Sequence, residues 1–235
     1  MSENYKGYRV PKVLIGYAVR YYLRYKLSLR DVRDIMFDRG LEVSHQSISD
    51  WIRDFGPLYA QAIRKARGVS RSDKWHIDEM RVKVNGEPFW LWRLVDENGE
   101  EIEVLLQKRR NAKCAIRFLK RALKTVGKAP RVLISDKLRS YPKAHRILMK
   151  STEHRSHKRL NNRAENSHQP TREKERQMRG FKKIGSTQRL LTSQGQVLNL
   201  FKIGRYKNPV AIYRHKLQEA NAIFDTIVSR TLRHA

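Results

Sequence analysis

The spacing of apolar residues changes along the chain, and each change predicts a different element. Val13, Leu14, Tyr17, Ala18, Tyr21, Tyr22 and Tyr25 recur at three- and four-residue intervals. That spacing predicts a helix over 11–26 opening on Pro11. A second helix is expected after Ser28, a good N-cap, carrying Leu29, Val32, Ile35 and Met36 as far as Gly40, which suits a left-handed helix end. A third follows Ser44 with Ile48, Trp51, Ile52 and Phe55 on one side, and Gly56-Pro57 is expected to stop it. Residues 58–73 read as a helical connector.

From Trp75 the period becomes two. Asp78, Met80, Val82 and Val84 share one face, with Arg81 and Lys83 on the other. Asn85-Gly86 is a favoured hairpin turn, Phe89 to Val95 the returning strand, Asn98-Gly99 a second turn signal and Ile102 to Leu106 a third strand. An amphipathic helix follows, with Ala112, Ala115, Ile116, Leu119, Leu123 and Val126, and Gly127 ends it. The apolar run 131–135 is a short strand with Asp136 just past its end. Reached through a crossover helix, it is expected to be parallel and buried.

Three antiparallel strands, a helix and a strand ending in Asp follow the order of a ribonuclease-H-like fold. In that fold the first and fourth strands are neighbours, which would let Asp78 and Asp136 meet. The fold class is therefore α/β, with an N-terminal helix-turn-helix domain over 1–57, the connector over 58–73 and a ribonuclease-H-like domain over 74–204. A C-terminal helix covers 205–235. Leu190 to Phe201 reads as an apolar helix, and after Asn208-Pro209 a long helix carries Ile212, Tyr213, Leu217, Ala220, Ile223, Phe224, Ile227 and Val228. That stripe suits an intramolecular core or a dimer interface.

Charge narrows the partners. The chain has 51 Lys+Arg against 23 Asp+Glu, a formal charge of +28, which predicts salt-dependent binding of a polyanion. Architectural proteins share such a balance. One cysteine, Cys114, excludes an internal disulfide and a cysteine-based zinc site. The first ten residues hold no apolar signal core, and no run reaches the ~18 apolar residues of a membrane span. A soluble, cytoplasmic protein is expected.

The second and third helices match a helix-turn-helix. The first turn of the third presents His45, Gln46 and Ser47, with Ser49 and Arg53 further along. Gln pairs with adenine in the major groove, and residues at a recognition helix N-terminus reach the bases. The plainer alternative is a helical packing module with a polar surface.

Carboxylates in so basic a chain need a reason, because bare carboxylates repel phosphate. Holding divalent metal against the phosphate supplies one. Asp78 and Asp136 are the first candidates, although Asp73 and Glu79 compete for the role of Asp78 and Asp136 also suits an N-cap. Residues 137–189 hold 16 Lys/Arg against four Glu. Within this stretch a helix near Asn161-Asn162 carries Glu165, and Arg172 stands two turns further on the same face, with Pro170 expected to kink or break the helix between them. Lys137 and Arg163 join the candidate DNA contacts. His145, His154, His157 and His168 lack zinc spacing and read as phosphate contacts or surface positions.

Four segments carry a resemblance: YAVRYYLRYKLSLRDVRDIMFDRGLEVSHQSISDWI, KWHIDEMRVKVNG with FWLWRLVDENG, VLISDKLRSYP, and RLNNRAENSHQPTREKERQMRGFKK. In this order the chain resembles the IS6 family (IS26/IS240-like) of insertion-sequence transposases. The resemblance implies that Asp78, Asp136 and Glu165 form the DDE triad and that Arg172 takes the basic position after the glutamate. It also implies Mg2+ or Mn2+ as cofactor, with two ions, and double-stranded DNA (element ends and target) as partner. Joining two ends needs two protomers, so a homodimer is expected. Glu165 follows Asp136 by 29 residues, a spacing shorter than in some members. The competing readings are a non-enzymatic helix-turn-helix regulator, which leaves the second domain without a role, and a ribonuclease-H-like nuclease or resolvase, which the family motifs disfavour.

Overall fold

The computed structural model describes residues 8–68, 72–136, 138, 140–156, 161–204 and 207–231, with only the backbone of Asn162 and Arg163. Three helices come first: α1 (Lys12–Arg24), α2 (Leu29–Phe37) and α3 (His45–Arg67). Ser28 caps α2 in a reciprocal box: its hydroxyl accepts the Asp31 N–H at 3.1 Å and the Asp31 carboxylate accepts the Ser28 N–H at 2.7 Å. Ser44 caps α3 by accepting the Ser47 N–H at 3.0 Å.

Gly56-Pro57 does not stop α3, which runs through both to Arg67 and ends at Gly68 in the left-handed region. Proline in a helix interior gives up a hydrogen bond. Here tertiary burial outweighs that loss, since Phe55, Gly56, Tyr59, Ala60 and Ile63 are all buried along one stripe. Gly56 allows a close approach: a Cβ there would lie 3.2 Å from Ser193 Oγ.

The sheet follows. Strands β1 (Lys74–Val84), β2 (Glu87–Asp96) and β3 (Glu101–Gln107) form the expected meander. Asn85 and Gly86 both have positive φ, as the tight hairpin requires. Next come α4 (Ala112–Val126), β4 (Val132–Ser135), α5 (Ser140–Leu148) and β5 (Glu153–Ser156). The strand order is β3-β2-β1-β4-β5, with β4 parallel to β1 and β5 parallel to β4. The first and fourth strands are thus neighbours, as the ribonuclease-H-like order requires. Trp75, Ile77, Trp92, Leu94 and Leu133 of the sheet bury against Phe118, Leu119 and Tyr141 of α4 and α5.

Neither α5 nor β5 is visible in the apolar pattern. β5 reads Glu-His-Arg-Ser and is mostly exposed, so it lacks the alternation that marks a half-buried strand.

Helix α6 (Asn162–Ser167) carries Glu165, and α7 (Gln169–Gln177) follows at once. The break expected at Pro170 falls there, with Pro170 in the first turn of α7, where its missing N–H costs little. The last two helices are α8 (Ile184–Leu200) and α9 (Val210–Arg230).

By contacts the chain forms two compact units, residues 1–68 with 192–235, and residues 69–191. Residues 192–204, grouped with the sheet in the sequence reading, belong to the first unit. In it, α9 packs on α1 so closely that a Cβ at Gly16 would lie 2.6 Å from Val228 Cγ2. Arg20 donates to Asn221 Oδ1 at 2.7 Å, and Tyr59 meets the edge of Phe224. Ala220, Phe224, Ile227 and Val228 of α9 are buried, while Ile212 and Ile223 are exposed.

Candidate active site

The parallel pairing of β1 with β4 ends at Ile77 opposite Ser135. Asp78 and Asp136 are the next residue on each strand, so the carboxylates leave the sheet side by side. Glu79 joins them. Consecutive strand residues point to opposite faces, yet one carboxylate oxygen from each of Asp78, Glu79 and Asp136 lies within 4.8 Å of the others.

The surroundings differ on the two faces. On one, His168 Nε2 lies 3.0 Å from Asp78 Oδ2. Its ring is buried, and that burial pushes its pKa below the ordinary value despite the carboxylate, so the neutral imidazole is favoured. Behind it, buried Arg93, the β2 partner of Asp78, pairs with Glu101 at 3.2 Å and donates to Thr171 Oγ1 at 2.7 Å and to the Ser167 carbonyl. On the other face Glu79 has a fully buried side chain that accepts from the Tyr141 hydroxyl and from Arg110. Burial, reinforced by Asp136 and Asp78, pushes the Glu79 carboxyl up to about 7 against the opposing Tyr141 hydrogen bond and Arg110 charge. Burial and that carboxylate push the Tyr141 hydroxyl well above its ordinary value. Arg110 also reaches Asp136 Oδ2 at 3.3 Å and lies over the Trp90 ring. Asp136 Oδ1 accepts the Leu138 N–H at 2.9 Å in an Asx turn, and since α5 begins only at Ser140, Asp136 does not cap it.

Glu165, exposed on α6, stands outside the three-carboxylate group but lines the same cleft of about 840 Å³ as Asp78, Glu79, His168 and Arg172. Asp73, a competitor for the role of Asp78, instead pairs with Arg131 at 2.7 Å.

His168 is not the surface position expected of it. It sits one helical turn beyond Glu165, a spacing that was a usable signal. Arg110 and Tyr141 lay outside the sequence reading, and Glu79 entered it only as a rival to Asp78. His154 stacks on His145 and lies 2.9 Å from Ser135 Oγ, and His157 is outside the described residues.

Of the candidate DNA contacts, His45 and Gln46 are exposed on the first turn of α3, and Ser47 and Ser49 are partly exposed. Gln46 lies 3.3 Å from Asp50, and Arg53 is held by Asp50 at 2.6 Å and Asp54 at 2.8 Å. Lys137 and the Arg163 side chain lie outside the described residues.

The family model for the DDE domain of IS240-type transposases matches residues 72–232. The transposase of the insertion-sequence-like element IS431mec from Staphylococcus aureus is 35% identical over 171 residues, covering 70% of this chain and 75% of the relative. The transposase of IS257 in transposon Tn4003, also from Staphylococcus aureus, matches to the same extent. Among solved structures, the catalytic domain of Mos1 mariner transposase overlaps 83% of this chain and 98% of its own, at 11% identity and a TM-score of 0.41. The trimeric form of the HTLV-2 integrase catalytic core with magnesium overlaps 60% and 91%, at 15% identity and a TM-score of 0.40. No helix among the described residues is long and apolar enough to cross a membrane. The chain belongs to the IS6 family of insertion-sequence DDE transposases.

Proposed function

We propose that this chain cuts DNA strands at the ends of its element and joins those ends to target DNA. The observation that carries the reading is the convergence of Asp78 and Glu79, inside β1, with Asp136, just past the end of β4, where the pairing of these two strands stops, in a cleft that Asp78 and Glu79 share with Glu165 and Arg172. An all-carboxylate donor set suits a hard divalent cation, Mg2+ or Mn2+. Asp78 and Asp136 would hold it, with Glu165 as the third ligand and two ions as the expected count. When bound, the metal lowers the pKa of the attacking oxygen and stabilises the leaving one.

In the first step a water oxygen attacks the phosphorus at the element end and the bond to the 3′ oxygen breaks, leaving a 3′-hydroxyl. That hydroxyl then attacks a target phosphorus and displaces a target 3′ oxygen. No covalent protein–DNA bond is needed. His168 fixes the Asp78 carboxylate through one nitrogen. Glu79, braced by Tyr141 and Arg110, holds the neighbouring backbone and tunes the charge of the cluster. Arg172 offers a guanidinium to a phosphate.

The α2–α3 pair acts as a helix-turn-helix, with His45 and Gln46 at the base edges. The exposed Ile212 and Ile223 of α9 suit a partner protomer. The test is strand transfer with end-containing DNA and Mg2+, comparing wild type with Asp136→Asn. Product from wild type alone supports the reading, equal product from both sinks the metal-holding role of Asp136, and product from neither sinks the reaction.

A further inference from the structure

Seven of the arginines described here are paired with acids: Arg33, Arg53, Arg93, Arg110, Arg121, Arg131 and Arg155 each hold a carboxylate. Five cations that line the active-site cleft hold none among the described residues: Arg81, Lys83, Arg172, Arg176 and Arg179. Arg172 and Arg176 are one turn apart on the exposed face of α7, and Arg179 lies just past its end. Glu175, in the same cleft, accepts the backbone N–H of Lys83 at 3.0 Å, so its charge is committed to the strand.

The backbone around Arg179 is unusual. Arg179 has φ +52, a region L side chains rarely adopt, and Gly180 follows at φ +87. The bend is held at both ends. The Gly180 N–H returns to the Glu175 carbonyl at 2.8 Å, while buried Phe181 accepts the Asn85 N–H at 2.7 Å. With the Arg179 N–H donating to the Arg176 carbonyl at 3.0 Å, the Gly180 bond closes α7 in a Schellman motif whose left-handed position Arg179 occupies, and that helix end fixes Arg179 beside the cleft.

We infer that Arg172, Arg176 and Arg179, facing Arg81 and Lys83, form a track for the phosphates of one DNA strand running away from the reacting phosphate. Arg172 to Arg176 spans about 6 Å along the helix axis. The long guanidinium side chains let each arginine meet a separate phosphate of that strand. The direction of the track rests on the proposed role of Asp78 and Asp136, whereas the binding itself does not.

Affinity for a short random-sequence duplex is measured in EDTA across salt concentrations, so no chemistry occurs. Arg176→Ala and Arg179→Gly are each expected to reduce the slope of log K on log salt by about 0.9, the loss of one phosphate contact. Arg176→Lys keeps the slope. Arg179→Gly suits the positive φ, so its melting temperature holds or rises while affinity falls. Lys120→Ala, exposed on α4, leaves the slope unchanged. On end-containing duplex in EDTA, where recognition fixes the register, a methylphosphonate placed at successive linkages weakens wild type at one linkage where Arg176→Ala is insensitive. Unchanged slopes in Arg176→Ala and Arg179→Gly overturn the track, as does an equal loss in Lys120→Ala. An Asp136→Asn protein that transfers no strand yet binds with the wild-type slope leaves both readings standing. Equal strand transfer by Asp136→Asn removes the metal-holding role of Asp136 without touching the track.

Discussion

His168 Nε2 and Asp78 Oδ2 lie 3.0 Å apart, with the imidazole buried and the carboxylate open to the cleft. Burial lowers the histidine's pKa and favours the neutral ring, which donates one N–H to the carboxylate. His168→Leu removes the donor and is expected to weaken Mn2+ binding about tenfold, which is ~1.4 kcal/mol, while His168→Gln retains most of the affinity. Calorimetric titration of the two variants measures this. Equal affinities in both variants and wild type would remove the positioning role.

Glu79 makes the metal-free protein sensitive to pH. Its folded pKa, about 7, is above its ordinary 4.5, so the folded state binds the proton more tightly than the unfolded chain. The stabilisation is fully present below 4.5 and is lost as pH rises through about 7. The upper bound on that loss is ~3 kcal/mol. In EDTA, the wild-type melting temperature should fall over this window more than that of Glu79→Gln. Parallel profiles for the two proteins would count against it.

Arg110 stands as an internal counter-ion between Glu79 and Asp136. Its removal should have two effects of opposite sign. Arg110→Ala is expected to destabilise the metal-free protein by about 1 kcal/mol, a figure reduced for its partial exposure. The same change concentrates negative charge and tightens Mn2+ binding. Denaturant unfolding and titration calorimetry read the two effects, and a variant that loses both stability and metal affinity would contradict the assignment.

In the helical unit, Gly16 faces Val228 with no room for a Cβ. Gly16→Ala is expected to cost ~1–3 kcal/mol through overpacking. Adding Val228→Ala should recover part of the loss, since the clashing methyls leave. Guanidinium unfolding of the single and double variants checks this, and additive losses would refute a direct contact.

Gln46 is exposed at the start of α3, where the proposed recognition helix meets DNA. Gln46→Ala should reduce the preference for element-end DNA over random DNA and leave the random affinity nearly intact. Competition binding separates these outcomes, and a uniform loss on all DNA argues against base reading.

The two aspartates could be placed from sequence because each belongs to a strand that its own residues announce: Asp78 within an alternating run, Asp136 just after an apolar one. Their company could not. Glu79 depends on Tyr141, 62 residues away, and Arg110, 31 residues away, and long-range partners leave no trace in local periodicity. Gly56-Pro57 misled for a related reason: the local preference for a break is overridden by packing against Ser193, far along the chain. Pro170 behaved as its chemistry dictates, because nothing buried opposed it and a new helix could begin there.

The helical unit is made of two stretches of chain, residues 1–68 and 192–235, with the whole sheet unit encoded between them. Synthesis proceeds from one end at about 5–20 residues per second, so the first three helices wait on the order of ten seconds for the helices that complete them. During that interval the side of α1 later covered by Val228 and the ring of Tyr59 later met by Phe224 stay open to water or a chaperone. The sheet and its carboxylates finish first. Under the proposed reading, a nascent chain halted before α9 carries the cutting residues but not a finished reader of element ends, so targeting matures only after α9 has been made.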